Sequence, residues 1–153
     1  METIQLEQDI PLLCVTATSF PEGIAEAHQR LHAVIPFSEE RRYFGISRPE
    51  NGTIIYRAAA EELQEKEAER LNCDLHILKE GNYACITVYD YVSDVRVISN
   101  AFETLLAHPD LDPDGCCVEW YYTGRDVRCM VRLLEQRHPP MGFITFTGGV
   151  FFI

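Results

Sequence analysis

One acidic residue interrupts an otherwise apolar, β-prone run in this chain, Cys116-Cys117-Val118-Glu119-Trp120-Tyr121-Tyr122. Moving an unpaired carboxylate out of water costs several kcal/mol or more, so Glu119 is either solvent-facing or the polar anchor of a pocket. Side chains alternate along a strand, which puts Cys117, Glu119 and Tyr121 on one face and Cys116, Val118, Trp120 and Tyr122 on the other. The second set reads as core. With helices packed on that second face, Glu119 and Tyr121 are expected to point away from them, into a concave groove formed by both halves of a sheet. Tyr56 is the best-matching aromatic from the N-terminal half, and Phe44, Tyr83, Tyr89 and Tyr91 follow. Aromatic faces suit flat or cationic ligands, because the ring quadrupole attracts positive charge. The competing expectation is an exposed Glu119 paired with Arg128 or Arg132 on the next strand, an interaction worth about a few tenths to 1 kcal/mol.

No other constellation carries comparable chemistry. His28, His32, His76, His108 and His138 are scattered, with no Ser-His-Asp arrangement, and each reads as structural or exposed. The six cysteines (Cys14, Cys73, Cys85, Cys116, Cys117 and Cys129) lack a CxxC pair or other zinc spacing. They read as reduced residues of a cytoplasmic protein, and neither a metal nor a cofactor is signalled. With 13 basic against 24 acidic residues the formal net charge is −11, which repels a phosphate backbone and argues against direct binding of nucleic acid or anionic lipid. No run is long and apolar enough to signal a membrane span or a signal peptide.

The elements that would position Glu119 come in a repeated order. Pro11 to Thr18 reads as a strand, and Ser19-Phe20-Pro21-Glu22 as a capping box opening a helix. Ile24, Ala27, His28, Leu31, Val34 and Ile35 give that helix one buried stripe, and Pro36 stops it. Two strands follow, Arg42 to Ser47 and Thr53 to Ala60, joined through Asn51-Gly52, a pair suited to positive-φ turn positions. Glu61 to Arg70 is a charged connector, helical in composition, with Glu62 and Lys66 spaced for an i,i+4 pair. The order then returns: Leu75 to Asp90 is strand-like around Gly81-Asn82, and Ser93 caps a helix whose stripe is Ile98, Ala101, Phe102 and Leu105. The strand of Glu119 and a last strand, Val127 to Leu134, complete it.

The expectation is one α+β domain over 1–153, with a duplicated strand-helix-strand-strand motif. Residues 11–60 form the first repeat, 61–74 a connector, 75–134 the second repeat and 135–153 an apolar C-terminal extension. Overlaying the repeats sets Gly45 against Glu119, an asymmetry that could leave room for a ligand. Met141 to Ile153, uncharged and β-prone, reads as an added edge strand or a dimer contact.

These features resemble the GyrI-like small-molecule-binding domain, the effector-binding part of some AraC- and MerR-type bacterial transcription regulators. The resemblance spans roughly Pro11 to Leu134. It is carried by the duplicated order, Tyr43-Phe44-Gly45-Ile46, Ile55-Tyr56, Glu80-Gly81-Asn82-Tyr83-Ala84 and Val118-Glu119-Trp120-Tyr121, where Val118 stands in place of the usual aromatic. It implies an antiparallel sheet with two helices on one face and a ligand groove between the halves. In that groove Glu119, Tyr121, Tyr56, Phe44, Gly45 and Tyr89 would meet a hydrophobic, cationic small molecule. Without a helix-turn-helix segment, a stand-alone form is expected. Some relatives are hydrolases that open strained cyclopropane rings, which would make Glu119 a general base and Tyr121 or Tyr56 a proton donor. Others are gyrase-inhibitor-type regulators that bind another protein. A homodimer or a regulatory protein partner is therefore an alternative to the small molecule.

Overall fold

A computed structural model describes residues 1–94 and 96–135, together with two strands at Phe143–Phe146 and Gly149–Phe152. The first half comprises β1 (Glu2–Leu6), β2 (Ile10–Thr16), α1 (Ile24–Val34), β3 (Tyr43–Glu50) and β4 (Thr53–Glu61). A single helical turn, α2 (Glu67–Arg70), leads to β5 (Asp74–Leu78), β6 (Gly81–Val88), α3 (Arg96–Leu106), β7 (Cys117–Trp120) and β8 (Val127–Arg132). The strands form one wholly antiparallel sheet in the order β1-β6-β8-β7-β3-β4-β2-β5. The fold is α+β, as expected.

Two short links dictate the shape of this sheet. β5 is its last strand and β6 its second, yet only Lys79 and Glu80 separate them. Three Cα–Cα steps span at most about 11 Å. The edges must therefore curl toward each other, and the Asp9 carboxylate, in the β1–β2 link, accepts the Glu80 N–H at 2.8 Å across the seam. Advancing every strand by four places in the chain reverses the order, so the duplication is a pseudo-two-fold whose axis runs between β3 and β7, where Gly45 pairs with Glu119. β1 was not legible as a strand. It is a short edge in which only Leu6 is buried.

The curl has two apolar faces. Leu12, Cys14, Phe44, Ile46, Val118 and Met130 pack inside it. On the outer face Leu13, Tyr43, Ala58 and Ala60 lie under Ala27 and Leu31 of α1, while Ala84, Val127, Cys129 and Val131 lie under Ala101 and Leu105 of α3. Each fully buried Leu or Phe of this kind stabilises by about 1.5–3 kcal/mol. This arrangement corrects one expectation: Val118 is core, but on the face without helices, so Glu119 and Tyr121 point toward the helices rather than away from them.

Local details also differ. α1 begins at Ile24, not after Ser19, because the Gly23 N–H bonds the Ser19 carbonyl in a preceding turn and no side chain caps the helix. β3 runs on to Glu50, leaving Asn51 (φ 53°) and Gly52 (φ 82°) as a two-residue turn. Glu62 accepts the Ala68 N–H instead of pairing with Lys66. Leu75 to Asp90 holds two strands at opposite ends of the sheet, β5 on one edge and β6 next to the other. Phe143–Phe146 and Gly149–Phe152 pair with each other and not with the eight-stranded sheet. The roles considered for the C-terminal extension otherwise fall outside the described residues.

Candidate functional site

α1 packs over β2 and β4, and α3 over β6 and β8, so the central pair β3 and β7 is left between the helices. Glu119 sits there, flanked in the ladder by Gly45 and Cys129. Above it opens a cleft of about 750 Å³, lined by Ile24, Ala25, His28 and His32 of α1, Phe37 to Glu39, Arg41, Tyr43, Tyr91, and Tyr121 to Gly124.

Glu119 is half-buried beneath this cleft. The Tyr121 hydroxyl donates to its Oε1, the Tyr56 hydroxyl lies 3.5 Å from the same oxygen and 3.2 Å from Tyr121 Oη, and His28 Nε2 is 2.8 Å from Tyr56 Oη. Burial pushes the carboxyl pKa up, opposed by the two tyrosine hydroxyls. Burial, with His32 nearby, lowers His28 to about 4, so it is neutral near pH 7. With Tyr121 committed to the carboxylate, Tyr56 can donate to Tyr121 and accept from His28 Nε2–H. Donors then run in one direction, His28 to Tyr56 to Tyr121 to Glu119.

No Lys or Arg lies within 4 Å of Glu119 among the described residues. Arg128, one of the cations considered as its partner, stacks over the Trp120 and Tyr122 rings, and Arg132 pairs with Asp112 at 3.0 Å. Among the described residues the carboxylate is held by hydroxyl groups alone, in a setting that burial makes unfavourable for its charge.

The predicted residues divide. Glu119, Tyr121, Tyr56 and Gly45 come together. Tyr56 is a buried support behind Tyr121 rather than a wall, with Phe20 stacked on it. Phe44 faces the other side of the sheet, buried against Trp120, because it is one residue out of phase with Gly45. Tyr89 is 74% exposed in the turn after β6 and does not line the cleft. The sequence reading passed over His28, whose place on the α1 stripe was the available signal, and Phe37, which stacks on Tyr43. Tyr91, ranked low, tilts against Tyr121 at 5.8 Å.

Gly45 does not leave free space for a ligand: a Cβ there would stand 2.1 Å from the Tyr56 hydroxyl and 3.1 Å from Glu119 Oε1. Gly45→Ala must displace Tyr56, at an expected cost of about 1–3 kcal/mol. Denaturant unfolding checks the stability, and a tyrosine fluorescence change would register the displaced ring.

No protein-family model matches the chain, and no curated protein matches it in sequence. Solved structures do share the fold. An integron cassette protein from the mobile metagenome of Vibrio cholerae superposes with a TM-score of 0.63 at 11% identity, over 87% of this chain and 95% of that one. A hydrolase from Listeria innocua gives 0.55 at 11% identity, over 87% and 90%. This chain is thus a small α+β domain distantly related in structure to both.

Proposed function

We propose that this protein contains a GyrI-like domain that takes a hydrophobic, cationic small molecule into the cleft alongside α1, with Glu119 beneath it as the anchor. The observation that carries this reading is the carboxylate itself, bonded to Tyr121 in the floor of an aromatic-lined cleft, with no Lys or Arg within 4 Å among the described residues. A ligand cation supplies the missing countercharge, and the rings of Tyr121, Tyr91 and Phe37 offer apolar contact and cation–π attraction. The six free thiols accord with a cytoplasmic setting. A filled groove would favour a protein partner; the open cleft favours a small molecule.

The test is a thermal-shift screen of lipophilic aromatic cations, because a ligand selective for the folded state raises its melting temperature. Saturable stabilisation by cations, absent with their neutral isosteres, is expected. Equal stabilisation by both would overturn the anchoring role of Glu119.

A second reading is favoured by one observation, the donor chain that ends on Glu119. It would let the carboxylate accept a proton from water and, once protonated, pass it back to Tyr121 as the tyrosine hydroxyl turns to give its own proton to a leaving group, as in hydrolysis of a strained electrophile. The structural neighbour described as a hydrolase makes this worth testing. Under this reading Tyr121→Phe abolishes turnover of a cyclopropane-containing electrophile while binding survives, measured by recovering the compound intact or ring-opened.

A further inference from the structure

On the opposite face of the sheet, at the open end of the curl, two cavities of about 800 and 390 Å³ share Arg48 and His76 in their walls. Arg48, Arg57 and His76 share the inner face of the curl with Cys14, on neighbouring strands. Of the ten described arginines, eight pair with carboxylates and Arg128 lies over two aromatic rings. Arg48 does neither. Its Nη1 donates to the Asp114 carbonyl at 3.1 Å, and its buried Nε–H has no acceptor.

We propose that this mouth binds a small monoanionic carboxylate through Arg48, with Arg57 and His76 beside it. A guanidinium tethered through Nη1, with its Nη2 hydrogens uncommitted among the described residues, can donate to a carboxylate oxygen, and in a chain of net charge −11 an arginine with no carboxylate partner on a concave surface is the feature an anion would seek. The surrounding carboxylates limit the charge such a ligand can carry. Glu50 holds Arg57 at 3.2 Å and Asp112 holds Arg132, while Asp74 and Asp114 also line the mouth. A second negative charge on the ligand would meet these groups. His76 is kept neutral chiefly by burial and further by Arg57 and Arg48, so it offers a hydrogen bond rather than a third cation.

The test is titration of the ¹⁵N-labelled full chain at pH 7 and constant ionic strength with sodium acetate and, separately, inorganic phosphate. Acetate should give saturable shifts at Arg48, His76 and Cys116, the last of which lines the smaller cavity. Arg48→Gln should weaken it about tenfold or more, phosphate should bind less tightly, and Glu119→Gln should leave the titration unchanged. Arg48→Lys keeps the charge without the planar fork and should also bind less tightly; it serves if Arg48→Gln loses its native spectrum. Shifts that fail to saturate, affinity unaffected by either Arg48 variant, or phosphate binding as tightly as acetate would each overturn the proposal.

Discussion

Glu119→Gln will cost a lipophilic cation about a hundredfold or more in affinity, while the unliganded variant melts no lower than the wild type. The two effects share one cause. Among the described residues the carboxylate has hydroxyl donors but no cation, so without a ligand its charge is held at a cost, and a bound cation offsets that cost. Removing one partner of a desolvated charge pair typically costs about 2–5 kcal/mol, which sets the size of the loss. The pH dependence follows from the direction of the shift. Folding raises the carboxyl pKa above its ordinary value of 4.5, so the folded state retains the proton to higher pH than the unfolded chain. Ionising Glu119 therefore lowers stability as pH rises from 4.5 upward, and affinity for a permanent cation climbs over the same window as the carboxylate forms. Isothermal titration calorimetry from pH 4 to 8 measures the second effect and thermal melts of wild type and Glu119→Gln the first. Affinity flat across that range, or equal in the two proteins, would place the cation elsewhere.

Glu67→Gln should be the most destabilising single change among these polar groups, by about 3–5 kcal/mol, or roughly 10 °C in Tm for a chain of this size. Glu67 is only 3% exposed and is gripped by Arg41 at 2.9 and 2.5 Å, with further hydrogen bonds from the Leu63 and Gln64 amides. The Arg41 hydrogen bonds, against the opposing effect of burial, hold its pKa at about 2, a shift from 4.5 worth on the order of 3 kcal/mol. A depressed carboxyl pKa contributes stability that is complete above 4.5 and is lost as pH falls toward 2. The gap between wild type and Glu67→Gln should thus be full at pH 7 and nearly closed near pH 2, as read by circular dichroism melts. A gap independent of pH would mean that packing, not the ion pair, is responsible. Arg41 also lines the cleft, so the variant leaves an uncompensated cation at the mouth and should weaken cationic ligands as well. Arg41→Met with Glu67→Leu should recover part of the stability, since replacing both partners leaves no buried charge unmatched, while the Leu63 and Gln64 amides still lose their acceptor.

Much of this was legible in local patterns, because local patterns report local physics. Alternation put Glu119 and Tyr121 on one face. The 3.6-residue stripes found α1 and α3, and Asn51-Gly52 found the two-residue turn at the end of β3. The Gly45–Glu119 correspondence read from overlaying the repeats is the register that β3 and β7 adopt. What alternation cannot say is which face the helices cover. Here both faces are apolar, Phe44, Ile46 and Val118 within the curl and Leu13, Ala58 and Ala60 beneath α1, so the pattern fits either choice. Only the packed sheet decided it. That decision turned Glu119 toward the helices, carried Phe44 to the opposite side, and brought His28 within 2.8 Å of a tyrosine 28 residues away. Two edge strands depended on the same long-range closure: β1 and β5 each cross to the half of the sheet formed by the other repeat. Chains of five residues with one buried side chain apiece gain most of their order from those distant partners, not from their own sequence.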